Sequence, residues 1–343
     1  MRGRKIKNME EFATVSGISR PTVSKYFNDP ESVRATTRAR IEAALDKYDY
    51  RPNVFAMNQN RRLTKIVGIV VPYLADPFFG EIARNVEQSC IAEGLSPILF
   101  SSHGDPAYEA AILDSLRGLK PAGVLLAPLG RSSDRSVVER FCDEVPTVLF
   151  DSYIDDIGED FVGSNNDQSI GMIVEYLCRT GEPPCLFEME TPSNPNSNKR
   201  RAAYVKAMES HGHAVNVVKA PGLGWDFEEI GCREGGRAIA EGRFATNTIL
   251  CSNDRLAIGL LAAAYQRGLR VGRGSGHALR IAGHDDHPFA RYTCPPLTTV
   301  SQDYTAISKK SVAALLERIE GGEEAGERRS ILVEGKLVMR DSA

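Results

Sequence analysis

From Lys65 onward the chain repeats one arrangement, a short β-branched apolar run followed by a stretch long enough for a helix. IVGIVV, SPILF, AGVLLA and TVLF are the runs of a first half, with helix-length stretches at about 78–94, 106–118 and 134–144 between them. The pattern breaks near Val162 and then resumes as PCLFE, AVNVV, TILCS and RIAGH. Between these runs helices are expected over about 198–211, 227–242 and 255–267. A last helix over about 303–320 and short runs near 331–333 and 336–338 close the chain. Runs that are apolar throughout suit strands buried on both faces, and parallel strands need a crossover of helical length. The alternation therefore predicts parallel sheets with right-handed crossovers. Two α/β halves in succession predict two lobes with a cleft between them, where a small ligand can bind.

The first residues follow a different pattern. NMEEFATVSGISRPTVSKYFN, from Asn8 to Asn28, reads as two short helices broken at Gly17. Asn8 and Glu11 have the N-cap and N3 spacing of a capping box. Phe12 and Val15 share a helical face, and Gly17 offers the left-handed position that turns the chain. Ser19 is a second N-cap, and Pro21 falls in the first turn, where its missing N–H costs nothing. Val23 and Phe27 point inward, which leaves Arg20, Thr22, Ser24, Lys25 and Asn28 outward. That surface carries cations, hydroxyls and an amide but no carboxylate. It suits a helix lying in the major groove of DNA. Asn28-Asp29-Pro30 stops the helix, and a third follows over about 36–48 with Ile41, Ala44, Leu45 and Tyr48 on one face.

Charge separates the two regions. Residues 1–65 hold fourteen Lys or Arg and seven Asp or Glu, a balance of +7, inside a chain whose net charge is −3. A small basic module on an acidic body matches a nucleic-acid-binding headpiece joined to a second domain. No apolar run is long enough to cross a membrane, and MRGRKIKNMEE lacks the apolar core of a secretory signal, so a cytoplasmic protein is expected. Seven cysteines without a CxxC pair read as reduced core thiols. Two other classes compete for the body, a solute-binding transport component and a sugar-modifying enzyme. The first would need an export signal. The second would need a visible nucleophile, base or metal, and no GxSxG, GxxxxGK[ST] or GxGxxG is present.

Residues 8–65 resemble the headpiece of the lactose-repressor (LacI/GalR) family of bacterial transcription regulators. SGISRPTVSKYFN and YDYRPN at 48–53 carry the likeness. It continues through VGIVVPYLADPFFGEIARNVEQ at 67–88, PAGVLLAP at 121–128, SNDRLAIGLL at 252–261, and RIAGHDD with PPLTTVSQDY at 280–304. The resemblance implies an all-α helix-turn-helix headpiece over 1–50, a hinge helix and linker over 51–65, and a two-lobed α/β periplasmic-binding-protein-like domain over 66–343. The N-lobe is expected over about 66–163 plus 304–325, and the C-lobe over about 164–303 plus 326–340. The resemblance also implies a homodimer whose two headpieces read a near-palindromic operator, and an effector in the cleft that alters operator affinity. The function expected is that of a repressor relieved by a sugar or related metabolite, not an enzyme, with no cofactor and no metal. GKLVMRDSA at the end shows no leucine heptad, which favours a dimer over a tetramer.

Matched residue by residue, Arg20 and Pro21 stand where the family varies its main base-reading side chains. Ser19, Thr22, Ser24, Lys25 and Asn28 match its phosphate and groove contacts. Pro21 has no donor or acceptor, so readout falls on Arg20 and predicts a guanine at one symmetric operator position. In the hinge, Asn53 and Ala56 match, whereas Gln59 stands where the family has a leucine that wedges into the minor groove. Gln59 is a poor apolar wedge, though its amide can hydrogen-bond base edges. In the cleft the resemblance implies Asp76, Phe78, Phe79, Asp151, Arg200, Trp225, Asn253, Asp285, Gln302 and Tyr304. Carboxylate, guanidinium and amide groups pair sugar hydroxyls, and aromatic rings take the apolar face of the sugar ring. His284-Asp285-Asp286-His287 and the pair His211 and His213 look like metal ligands, but the first occupies the position of the family's ligand-binding aspartate.

Overall fold

The computed structural model describes residues 6, 8–50, 64–158, 160–193, 195–274, 276–321 and 327–343. The expected hinge residues Asn53, Ala56 and Gln59 lie outside these, as does the side chain of Asn28. The chain divides into two compact units, Met1–Thr64 and Lys65–Ala343.

The small unit is built from α1 (Met9–Ser16), α2 (Arg20–Asn28) and α3 (Ala35–Tyr48). Asn8 Oδ1 accepts from the Glu11 amide at 2.9 Å, and Gly17 ends α1 at φ 65°. That left-handed turn carries a steric cost for residues with a Cβ, which is why glycine suits it. Ser19 caps α2 by accepting from the Thr22 amide, with Pro21 in the first turn. Phe12, Val23 and Ile41 are fully buried, and Phe12 stacks on Tyr50 with centroids 4.7 Å apart. Val15 does not share the buried face of Phe12: it is 42% exposed, and Ala13 takes the inward position instead. One residue's difference in an eight-residue helix rotates a side chain by about 100°, enough to carry it out of a small core.

The large unit contains two parallel sheets. β1 (Ile66–Val71), β2 (Ser96–Ser101), β3 (Gly123–Leu126), β4 (Thr147–Phe150), β5 (Asp160–Ser164) and β11 (Arg329–Val333) form a six-stranded sheet in the order β11-β5-β4-β3-β1-β2. β6 (Cys185–Met189), β7 (Val217–Ala220), β8 (Thr248–Cys251) and β9 (Arg280–Ala282) form a second, in the order β7-β6-β8-β9. β10 (Thr299–Ser301) and β12 (Lys336–Val338) pair antiparallel beside it. β1, between β2 and β3, is buried along its whole length, as its IVGIVV composition requires.

Helices cover the sheets: α4 (Pro77–Ala92), α5 (Pro106–Leu119), α6 (Arg135–Glu144) and α11 (Tyr304–Gly321) in the N-lobe. The C-lobe has α7 (Asn166–Thr180), α8 (Asn196–Ser210), α9 (Phe227–Ala240) and α10 (Asp254–Gln266). α9 and α10 touch backbone to backbone: a Cβ at Gly231 or Gly259 would collide with main-chain atoms of the facing helix. This close approach brings Glu228 beside Arg255, a pairing that matters below.

The chain passes between lobes three times, after Ser164, at 302–303 and at 334–335. The expected lobe boundary needs one correction. The resemblance places residues 329–333 in the C-lobe, yet β11 pairs in parallel with β5 at the edge of the N-lobe sheet. The reason is electrostatic. Asp160, buried at the start of β5, accepts from Arg318 Nε at 3.0 Å, the Arg329 amide at 2.8 Å and Arg329 Nη2 at 2.7 Å. Those bonds hold Asp160 well below the usual carboxylate range against the upward pull of burial. Among the described residues no helix is long and apolar enough to cross a membrane, and all seven cysteines are free thiols.

Candidate functional site

On the headpiece, Ser19, Arg20, Pro21 and Lys25 are exposed and Thr22 and Ser24 half-buried. Arg20 and Lys25 form no ion pair among the described residues, so both cations are available to an anionic partner. The surface follows from the caps: fixing α2 at Ser19 and burying Val23 forces its cationic side outward.

In the large unit a cavity of about 390 Å³ lies between the lobes. Nine of the ten expected effector residues line it: Asp76, Phe78, Phe79 and Asp151 from the N-lobe, Arg200, Trp225, Asn253 and Asp285 from the C-lobe, and Gln302 at a crossing. Tyr304 does not line it. Its hydroxyl donates to the backbone carbonyl of Asp285 and its ring meets the edge of Phe78 at 5.4 Å, so it supports two lining residues from behind. Ser197, Phe227 and Arg255 line the cavity and were not anticipated. Arg255 did leave a signal. A cation in the first turn of a helix opposes the helix dipole, and such a placement implies carboxylate partners.

Local structure sets each side chain. Asp76 caps α4 by accepting from the Phe78 amide at 3.0 Å, and Asn253 caps α10 by accepting from the Leu256 amide at 2.8 Å. Each cap also aims its residue at the cleft, because both helices begin at the carboxyl ends of strands. Asp151 and Asp285 follow β4 and β9 with φ of 59° and 124°. Such backbone is costly for a residue with a Cβ and is concentrated at functional sites.

Arg200 lies at the centre of the polar network. It donates to Asp285 Oδ1 at 2.7 Å, to the Ser252 carbonyl at 2.8 Å and to Asn166 Oδ1 at 3.3 Å. Asp285 also accepts from Gln302 at 2.6 Å and bonds the His284 ring at 3.0 Å. Burial pulls the Asp285 carboxyl upward, but Arg200, His284 and Gln302 outweigh it and hold it below its ordinary value. The other ring nitrogen of His284 meets Ser169 at 2.9 Å, and burial lowers the ring to about 4, so it is neutral at pH 7. Both nitrogens of His284 are thus engaged in the protein; His284 and Asp285 serve the Arg200 network, while Asp286 pairs with Arg340 at 2.6 Å. Among the described residues no group of three or more His, Cys, Asp or Glu is placed to hold a metal ion.

Burial pushes Asp151 up to about 7, with Lys199 and Arg200 opposing. Asp76 is also raised by burial, with Arg255 opposing.

Several contacts join the lobes across the cleft, among them two polar pairs and a ring stack. Arg255 Nη1 donates to Asp76 Oδ2 at 3.1 Å, Asn196 Nδ2 donates to Asp151 Oδ1 at 2.7 Å, and Trp225 stacks on Tyr73 with centroids 5.2 Å apart. The apolar core runs through the same place: Phe78, Phe79, Trp225 and Phe227 belong to one buried cluster. A ligand between these groups would touch both lobes, so its binding energy would act on their relative position.

Comparison with known proteins places the two units. Residues 8–53 match the pattern described as bacterial regulatory proteins, lacI family, and residues 169–343 match the periplasmic binding protein-like domain. The chain is 26% identical to the ribose operon repressor of Escherichia coli, over 91% of this chain and 92% of that protein. It is 25% identical to the transcriptional repressor PurR of Pasteurella multocida, over 97% of this chain and 98% of that one. In fold it is similar to the lac repressor dimer bound to operator and the anti-inducer ONPF, with a TM-score of 0.84, 23% identity and 99% of each chain covered.

Proposed function

The chain belongs to the lacI family of bacterial regulatory proteins, and from that premise we propose that it is a transcriptional repressor whose grip on a near-palindromic operator is controlled by a sugar or sugar derivative in the interlobe cleft. The observation that carries this reading is the cavity itself, where paired carboxylates, guanidiniums and amides face four aromatic side chains. Hydroxyls that both donate and accept fit the polar rim, and a sugar's C–H face fits the rings. On the headpiece, Arg20 reads a guanine, Ser19, Thr22, Ser24, Lys25 and Asn28 hold phosphates and groove, and Pro21 contributes shape alone. Asn53, Ala56 and Gln59 are assigned to the minor groove on the strength of the family pattern.

A homodimer supplies the two headpieces. An apolar groove on the N-lobe supports that assembly: β2 is an edge strand, and Leu74 and Leu99 lie open beside half-buried Pro97 and buried Ala83. Unpaired edge strands with exposed apolar residues favour association. The effector acts through the contacts between the lobes, because only a ligand with different affinity for two lobe arrangements can shift the equilibrium between them.

The test is fluorescence anisotropy on a selected operator pool, read against salt and against a panel of sugars. Expected are a steep salt dependence from phosphate contacts, a guanine at one symmetric position, and release by at least one sugar. Salt-independent binding, or no binding to any member of the pool, overturns the proposal.

A further inference from the structure

The cleft holds two arginines, and each is already paired with a carboxylate, Arg200 with Asp285 and Arg255 with Glu228 and Asp76. Arg200 is engaged through all three of its nitrogens by Asp285, Ser252 and Asn166. Arg255 presents Nε and Nη2 to the two oxygens of Glu228, both at 2.7 Å, and gives Nη1 to Asp76. Glu228 does not line the cavity; it reaches Arg255 from α9 at the glycine contact with α10. Asp76, Asp285 and Glu228 set three carboxylates against these two guanidiniums, and Asp151, pushed up to about 7 by burial, adds a fourth carboxyl at the cavity. Besides the arginine N–H groups not used in these bonds, the Ser197 hydroxyl, the amide nitrogen of Asn253 and one oxygen of Asp151 offer hydrogen-bonding positions at the cavity. A hydroxyl can donate to the carboxylate and accept from the amide, whereas an ionised carboxylate or phosphate can only accept.

We infer that the cleft selects an uncharged polyhydroxy ligand over its carboxylate or phosphate counterpart, and that Glu228 sets this selection by occupying the Arg255 fork. The inference rests on the reading of the cleft as the effector site. Specificity here comes from a repulsive arrangement as much as an attractive one: the excess carboxylates penalise an anion, and the cations that could offset the penalty are already bound.

The experiment measures binding to the full chain by calorimetry, using neutral aldopentoses and aldohexoses, the matching sugar acids and the matching sugar phosphates. The neutral sugar that binds tightest is expected to exceed its own acid and phosphate by about tenfold or more in Kd. Glu228→Gln keeps the shape but frees the fork, and should strengthen acid or phosphate binding by roughly fivefold while the neutral sugar changes less than about twofold. Glu228→Asp retains the charge and should retain the selection; circular dichroism confirms that each variant is folded. Tighter binding of the acid or phosphate by the parent, or an unchanged ratio in Glu228→Gln, overturns the inference and leaves the effector cleft standing. Absence of binding by every sugar in the panel overturns the effector reading itself.

Discussion

Replacing Arg200 by methionine removes one partner of a buried ion pair and leaves the other in place. The two side chains are 7% and 18% exposed and 2.7 Å apart. Breaking such a pair costs about 3–5 kcal/mol, because the remaining charge stays buried without its counterion. Asp285 would still accept from Gln302 and the His284 ring, which argues for the low end, about 3 kcal/mol. At roughly 2–4 °C per kcal/mol for a unit of this size, Arg200→Met should melt about 6–12 °C lower. Arg200→Met/Asp285→Asn removes both charges and should recover more than half of the loss. The single variant should approach the parent as pH falls from 7 to 5. Without Arg200 the Asp285 carboxyl titrates above its unfolded value, so its cost to stability appears as pH rises and fades as it protonates. Thermal melts followed by circular dichroism at both pH values check this, and neither variant should gain stability from a sugar that stabilises the parent. A single variant within roughly 2 °C of the parent at pH 7, or a double variant as unstable as the single, refutes the assignment of Arg200 as the counterion of Asp285.

Other residues give further expectations. Asp151, pushed up to about 7 by burial, should destabilise the fold increasingly as pH rises from its unfolded value of 3.8 through 7, so Asp151→Asn should gain stability over the parent at pH 8 and much less at pH 5, while losing ligand binding. Asp160→Asn leaves Arg318 buried with a neutral partner and should cost about 3 kcal/mol, with faster hydrogen exchange confined to β11 and its neighbour β5. The Asp160 carboxyl is held below its unfolded value, so its contribution is present above pH 3.8 and is lost as pH falls through the folded value. In the headpiece, Lys25→Ala should weaken binding to all operators alike and reduce the salt slope by about one, whereas Arg20→Ala should flatten the preference for guanine at its position. Anisotropy titrations at several salt concentrations separate these two effects.

The amino-acid sequence by itself determined everything that depends on neighbours along the chain. Asn8, Gly17, Ser19 and Pro21 mark the helix ends of the headpiece, because caps and turns are satisfied within a few residues. The apolar runs announce two parallel sheets because a strand buried on both faces is predominantly apolar. Motif resemblance brought nine of ten expected residues to one cavity, since strand ends and helix caps place them there. Tertiary structure alone decided the rest. Ser330–Val333 has no local mark of its sheet, and the pairing is decided by Asp160, Arg318 and Arg329, groups far apart in the chain. Tyr304 moved from the lining to a supporting position because the Asp285 carbonyl takes up its hydroxyl. Arg255 entered the site, and Glu228 came to control it, only where Gly231 and Gly259 let two helices touch. A periodic pattern tells which side of an element is buried, and a charge finds its partner only after the elements have packed.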